Sequence, residues 1–577
     1  MDKKKAMYSL LAVVLLVPWY AVPVFAQADA TPELAYDLWV LSWDDISVDT
    51  GGAIETLLEE IGIDITVDIK DDGPMYEGIY QVPRQFALYE MSHGYSSVPD
   101  HVWWRMHSDN IIDWGDNCYG LDNATVDAAL DDFMTSTPAN LEDNAALVQQ
   151  YATETIPYIP LFLSDDTHAI RKEWVNYTKK PGGIFTAFNP QTVCYMYDDN
   201  HTSGDMEFVM AYSSDIGELN PMFYRSERSH WYDMLVYDTL ITYNNDLEPI
   251  PWLAEDYSIS TDGTEITFTI REGVKWHDGE DLTPQDVNFT LYHYKNAPED
   301  AIAWSFMQGM EDVEISGNDV TITMDDAYSF ALQILGDLYI LPEHIRAGLP
   351  ADDATWDDAA NATAHVGSGP FYFEERSPDE YTELLRNTDW WGPTPSIDII
   401  RLDVVAGQDA RILAMRNGDA DSERYEVFGP YVQTVIDAPE LDIVTGVTSQ
   451  WDYVLGFNMT VPGFDDLDVR RAISLAMNRS YLIEVGRLGY GTETNTVIPQ
   501  SFFPTLYDES GIFDEDVDLA NEILDAAGYI DIDADGVREF PGVAPPIGGP
   551  DLLLILGIGA GALVVAVVVV YFYLKRK

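Results

Sequence analysis

The chain has 577 residues, with 99 acidic against 30 basic side chains and a formal net charge of −69 at pH 7. Repulsion from phosphate excludes a nucleic-acid binder, while such a surface stays soluble at high ionic strength or attracts cations. The roughly 520 residues between two apolar ends exceed what one core usually covers, so two or three lobes are expected.

Residues 1–26 carry a lysine cluster, an apolar run from Leu10 to Val17 and small residues around Ala26, the pattern of a secretory signal cleaved after Ala26. An alternating strand is predicted over Tyr36–Ser42, a helix over Gly51–Ile61 closed by Gly62, and a second strand over Ile63–Ile69, together a βαβ-like unit. Tyr119–Asn123 leads into a helix reaching about Met134. A further helix is predicted over Leu141–Ile156, followed by an extended Pro157–Phe162. Tyr197–Glu207 (YDDNHTSGDME) is a polar linker. Thr267–Ile270 reads as a strand, Gly273 as a turn, and the next residues as a second short strand. A His277-Asp278-Gly279 turn follows, and then a helix opened by Thr283-Pro284 with Asp286 in its first turn. After a short linker at 541–550, Leu552–Leu574 is uncharged and long enough to span a bilayer. Lys575-Arg576-Lys577 follows at once, so the positive-inside bias predicts one C-terminal anchor with everything before it exported.

The series Arg271, Gly273, Val274, Trp276, His277, Asp278, Gly279, Leu282, Thr283, Asp286, Val287 resembles the signature of family 5 solute-binding proteins. These are extracytoplasmic receptors that deliver peptides, nickel chelates or oligosaccharides to ABC importers. The resemblance extends over Leu219-Asn220-Pro221, Gly367-Ser368-Gly369-Pro370-Phe371, Arg386-Asn387, Asp389-Trp390-Trp391-Gly392, Gly456-Phe457-Asn458 and Ala526-Ala527-Gly528-Tyr529. It implies a two-lobed α/β fold of the periplasmic-binding-protein type II class, with mixed sheets and an extra subdomain. Its order is unusual. The family's last third, including the Tyr119-Gly120 helix and Pro157–Phe162, comes first in this chain. The implied organisation is a circular permutation in which 27–196 is the C-terminal-type half (lobe two and the return to lobe one). A linker at 197–207 joins it to the N-terminal-type part with the extra subdomain at 208–540, and 552–574 is the anchor. A remnant of two tandem receptors is the alternative.

The resemblance places the ligand loop at Met91–Trp104. Where peptide-binding members carry an acid four residues before a proline, this chain has Tyr95 before Pro99. A free peptide amino group would lose a charge-assisted bond there. The candidate ligand-binding residues are His93, Tyr95, Trp103, Trp104, Asn220, Met222, Trp451 and Tyr453, with ordinary packing as the competing role for each aromatic. His277 and Asp278 are read as turn formers bonding nearby backbone, and Trp390 and Trp391 as packing residues.

No HExxH, GxSxG or GxxxxGK[ST] motif occurs, so the expectation is binding and not an enzyme. Acids at positions 1, 3, 5 and 9 of Asp531–Glu539, with Gly536 at 6, match the start of a Ca²⁺ loop. Position 12 is Gly542, leaving Asp531, Asp533, Asp535 and Glu539 as a weak cation site or a solvated acidic turn. Cys118 and Cys194 are the only cysteines, and a disulfide between them is allowed outside the membrane. Sequons at Asn123, Asn176, Asn200, Asn288, Asn361, Asn458 and Asn478 are candidate glycan sites. With a C-terminal anchor and no lipobox cysteine, they fit an archaeal cell-surface glycoprotein. The function expected is a membrane-anchored receptor that passes peptides or similar solutes to ABC permease subunits. The alternatives are a surface sensor uncoupled from transport and an oligosaccharide-binding importer receptor.

Overall fold

A computed structural model describes residues 33–94, 98–177, 194–217, 219–223, 227–244, 248–357, 362–423, 427, 430–509 and 514–542. These fall into a large unit, Ala35–Ala527, and a small one that contains Glu33, Leu34 and the segment from Gly528 onward.

In the large unit, β1 (Ala35–Leu41) is built by alternation, with Leu38 and Val40 fully buried. Asp44 then accepts hydrogen bonds from the Ile46 and Ser47 amides and starts α1 (Asp45–Glu59), earlier than the predicted start at Gly51. The Gly51-Gly52 pair is not a breaker. A Cβ on Gly51 would stand 2.9 Å from Val40 Cγ1, so its absence lets the helix lie close on the sheet. Gly62, at φ 75°, turns the chain out of the helix into β2 (Asp64–Lys70), which runs parallel to β1 from Ala35↔Asp64 to Leu41↔Lys70. Next come α2 (Asp72–Tyr80), β3 (Leu88–Gly94) and α3 (His101–Met106). Asn123 caps α4 (Ala124–Met134), which is followed by α5 (Leu141–Thr155) and the long β4 (Tyr158–Arg171).

A small ribbon pairs β5 (Trp174–Val175) with β6 (Tyr197–Asp198), so the predicted linker begins with a paired strand and ends at the first residue of β7 (Glu207–Tyr212). A second ribbon pairs β8 (Ile241–Tyr243) with β9 (Pro249–Pro251). Four antiparallel strands, β10 (Ala254–Ile259), β11 (Glu265–Ile270), β12 (Met310–Ser316) and β13 (Asp319–Met324), form a separate sheet in the order β10-β11-β13-β12. The signature begins on β11. Its predicted second strand is reduced to one bridge, Lys275↔Asp281, because the chain turns at Gly273 (φ 78°) and again at Gly279 (φ 93°). The helix predicted at Thr283-Pro284 is α6 (Pro284–Lys295), opened by a capping box between Thr283 and Asp286.

The main sheet is completed by β14 (Phe371–Ser377), β15 (Tyr381–Arg386), β16 (Ile399–Val404), β17 (Ser422–Glu423), β18 (Leu441–Phe457) and β19 (Gly491–Glu493). Its order is β14-β15-β16-β7-β17-β4-β18-β3-β1-β2, with β19 beside β4. Parallel pairs (β1–β2, β1–β3, β16–β7, β17–β7) and antiparallel ones (β18 with both β3 and β4) make it mixed. The architecture is therefore α/β with mixed sheets, in two lobes. One core gathers Leu41, Tyr89, Val126, Phe133, Val148, Tyr158, Leu163 and Val454. The other gathers Ile170, Phe208, Met210, Trp231, Phe268, Trp276, Leu402 and Val444. β4 and β18 each contribute one end to both cores, so these two strands join the lobes. Their mutual register shifts between Val444 and Val447, Thr448 and Asp452, and Tyr453 and Val454.

The signal segment, Leu552–Leu574 and Asn361 lie outside the described residues. Among the described residues no helix is long and apolar enough to cross a membrane. The Cys118–Cys194 bridge is absent. Both are buried free thiols: Cys118 lies 3.4 Å from the Tyr89 hydroxyl, and the Cys194 carbonyl accepts from the Ser396 amide. Burial pushes the Cys118 thiol up to about 12, so it is an inert core group. Among the sequons, Asn458 is buried and donates its amide to the Phe86 carbonyl, which leaves it unavailable to a glycan.

Candidate functional site

In an open sheet, ligands settle beyond the carboxyl ends of parallel strands, where side chains and backbone diverge from the layer. In this chain that edge belongs to β1, β2 and β3. The turns after β1 and β2 are tied together: Ser42 Oγ donates to Asp71 Oδ1 (2.8 Å), the Ser42 amide to the Lys70 carbonyl, and Trp43 Nε1 to Asp72. Trp43 remains 60% exposed. At the end of β3 the pairing with β18 sets Trp451 opposite Gly94, Asp452 opposite His93 and Tyr453 opposite Ser92. The Trp451 ring lies over the bare Gly94 backbone and is 45% exposed. Trp43 and Trp451 are thus open aromatic surfaces at the edge from which β18 departs toward the second lobe.

The two faces of this pairing differ in their chemistry. On one, Tyr453 stacks on Phe162 (centroids 4.7 Å) and donates to Asp44 Oδ2 (3.3 Å). Beneath it lies Glu90, fully buried with neither carboxyl oxygen hydrogen-bonded. Burial first, and then the charge of Asp44, raise the Glu90 carboxyl to about 8. The hydroxyls of Ser47 and Thr50 lie close enough to offset part of that rise, yet both already donate elsewhere, to Asp44 and to the Ile46 carbonyl. On the opposite face, Arg105 of α3 grips Asp452 with two bonds (2.8 and 3.1 Å). Both partners are buried, and the guanidinium lies 5.7 Å over the Tyr158 ring. His93, bonded to the Tyr80 hydroxyl (3.3 Å), is held well below the usual histidine range by burial and then by the charges of Arg105 and His101. It is neutral near pH 7.

The residues singled out in the sequence are therefore dispersed. Trp451 and Tyr453 stand together beside β3, and His93 lies on the other face of the same pairing. Tyr95 lies outside the described residues. Trp103 and Trp104 meet edge to face (4.9 Å) on the helical layer, where Trp103 donates to Asp131 of α4 and Trp104, 43% exposed, to Asp100. Asn220 and Met222 are buried in the other core. The Asn220 amide donates to the Ala351 carbonyl and its oxygen accepts from the Met222 amide. Sequence reasoning missed Trp43 and the stacked Tyr76, Tyr80 and Trp114. The signal for Trp43 was available, since Trp43-Asp44 directly follows an alternating strand.

The signature residues are structural. His277 Nε2 donates to the Gly369 carbonyl (3.0 Å) and its Nδ1 accepts from the Gly367 amide (3.1 Å), so the backbone it bonds is about ninety residues away in sequence. Burial lowers its pKa to about 4, which fixes the neutral imidazole this double role requires. Asp278 accepts from the Glu280 amide and pairs with His344 (2.8 Å). Trp391 and Trp252 both donate to the buried Asp238.

The chain matches the model for bacterial extracellular solute-binding proteins, family 5 middle, over residues 248–561. A protein of Brucella ovis, provisionally named an ABC transporter peptide-binding protein, is 29% identical over 300 residues, covering 51% of this chain and 55% of that protein. The nickel-binding periplasmic protein of Escherichia coli is 26% identical over 348 residues, covering 57% and 62%. The chain thus spans about half to three-fifths of the length of the curated relatives it matches. The ABC transporter substrate-binding protein CtaP of Listeria monocytogenes is similar in structure at 22% identity and a TM-score of 0.48, over 57% of this chain and 66% of that one. Since the family match covers more than half of its residues, the chain belongs to the family 5 extracellular solute-binding proteins.

Proposed function

We propose that the protein is an extracytoplasmic receptor that captures peptides or similar solutes and delivers them to the permease subunits of an ABC importer. What carries the reading is family membership across residues 248–561, in a chain whose two cores are joined by the long strands β4 and β18. Two lobes on a paired-strand joint can close on a ligand, and a permease can then read the closed form. The relatives named as peptide- and nickel-binding support transport over catalysis. Trp43, Tyr95, Trp104 and Trp451 are the proposed contact residues. His93, Trp103 and Tyr453 position them, and Asn220 with Met222 shapes the loop after β7. With Tyr95 where an acid would hold an amino group, Asp71 and Asp72 at the same sheet edge are the proposed partners of a ligand cation. Removal of the signal after Ala26 and anchoring by Leu552–Leu574 would hold the receptor on the outer surface of the cell.

The order of the chain is proposed to be a circular permutation. The supporting observations are that β1–β3 and β4 pair along β18 in one sheet, and that in the small unit the Leu34 amide bonds the Arg538 carbonyl (2.8 Å). Two ends that are hydrogen-bonded neighbours are what a cut in a continuous segment leaves. Mass spectrometry of small molecules released from the purified full-length chain tests the function. Co-purifying peptides, with a matching thermal shift on re-addition, are expected. Release of glucan or chitin oligomers would overturn the peptide assignment.

A further inference from the structure

The small unit brings together groups that the sequence leaves far apart. Glu33 and Glu539 are bridged through their backbones in antiparallel fashion, and Ile530 pairs with Glu539 on its other side. The Asp531–Glu539 loop therefore folds against the start of the described chain. Ligand oxygens of Glu33, Asp533 and Asp535 lie within 4.8 Å of one another. The loop is drawn around Asp531, whose carboxylate accepts from the Ala534 amide (2.7 Å) and the Gly536 amide (3.1 Å).

The Glu539 carboxylate supplies an independent observation. It is 1% exposed, and one oxygen accepts from the Ile532 amide (2.7 Å), which lies between Asp531 and Asp533. The other oxygen is buried without a hydrogen-bond partner. A buried carboxylate oxygen with no donor is costly. Arg538 sends one guanidinium nitrogen to the Tyr529 carbonyl.

We infer that Asp531, Asp533, Asp535 and Glu539, completed by Glu33 from the other end of the chain, form a Ca²⁺ site. The loop has acids at positions 1, 3, 5 and 9 and glycine at 6, but Gly542 at position 12, where a Ca²⁺ loop carries its bidentate glutamate. Glu33 supplies the missing carboxylate through space. The donor set is oxygen alone, with neither histidine nor cysteine, which suits a large hard cation and not zinc or copper. Four or five carboxylates with a flexible loop favour Ca²⁺ over Mg²⁺, which is smaller and holds its water tightly. Binding would staple the first described residues to the last folded segment.

The test uses the full-length chain in detergent, stripped with EGTA and held in about 1 M NaCl, where a Debye length of about 3 Å suppresses diffuse cation uptake by the acidic surface. Ca²⁺ binding is followed by equilibrium dialysis and by thermal unfolding. One Ca²⁺ per chain is expected, with a Kd on the order of 10⁻⁴–10⁻³ M as in extracellular modules. Affinity should fall at least ten-fold in Asp533→Asn, in Glu33→Gln and in Glu539→Gln, and remain unchanged in the exposed control Glu299→Gln. Asp533 is exposed, so its variant should fold. Equal uptake by wild type and Asp533→Asn, or uptake that equimolar Mg²⁺ abolishes, would overturn the site. Loss in Asp533→Asn with full binding in Glu33→Gln would overturn the staple.

Discussion

Glu90 is a carboxyl group buried beneath a candidate ligand edge, and its protonation couples folding stability to pH. Its pKa is about 8 in the folded protein against 4.5 for an ordinary glutamate, raised by burial and then by Asp44. Below pH 4.5 the group is protonated in both folded and unfolded chains, and its contribution is fully present. Between 4.5 and 8 the folded state binds more protons than the unfolded one, so stability falls as pH rises, and above 8 the contribution is gone. At 1.36 kcal/mol per unit, the difference between 4.5 and about 8 corresponds to roughly 5 kcal/mol across the window. Glu90→Gln keeps a neutral group of the same shape and removes the titration. Urea unfolding of the full-length chain at pH 5, 7 and 9 in molar salt, followed by circular dichroism, should give curves that converge near pH 5. At pH 9 the variant should be the more stable by several kcal/mol. Parallel curves for wild type and variant between pH 5 and 9 would mean that Glu90 ionises in the folded protein at no cost, and would rule out this coupling.

Asp452→Ala should cost about 3–5 kcal/mol in chemical denaturation, since it leaves Arg105 buried without its carboxylate, whereas Arg105→Met combined with Asp452→Leu should cost less than either single change. Gly367→Ala would place a Cβ 1.9 Å from the Val236 carbonyl oxygen, a clash with backbone that no rotamer relieves, and should destabilise by more than about 3 kcal/mol or prevent folding. Gly52→Ala, inside α1 with no atom within 4 Å of the new Cβ, should instead raise the unfolding midpoint by the equivalent of about 0.5–1 kcal/mol. Trp451→Ala should weaken binding of the co-purified ligand at least ten-fold in calorimetry while leaving the unfolding midpoint nearly unchanged, because the ring is 45% exposed. Equal affinity would remove Trp451 from the contact surface.

Local chemistry was legible in the linear chain. The alternation in β1 and β2, the turn at Gly62, the opening of α6 at Thr283-Pro284 and the extents of α4 and α5 follow from periodicity and terminal residues, which act over a few positions. α1 begins at Asp45, ahead of the expected start at Gly51, because Asp44 caps it and the bare Gly51 backbone lets the helix lie close on Val40. The sequence places His277 in a turn expected to bond nearby backbone. Its partners are near only in space, since Gly367 and Gly369 arrive from another element.

The acidic composition, the apolar ends and the family signature are all properties of the linear chain. Only the tertiary structure places Trp451 over Gly94, pairs Arg105 with Asp452 on one face of the β3–β18 pairing and buries Glu90 on the other with neither carboxyl oxygen hydrogen-bonded. Only there does Glu33 come within reach of Asp533 and Asp535. The physical reason is the same in each case. Propensity and patterning are short-range, whereas register between β3 and β18, desolvation of a carboxyl group and the meeting of the chain's first and last described segments depend on residues hundreds of positions apart.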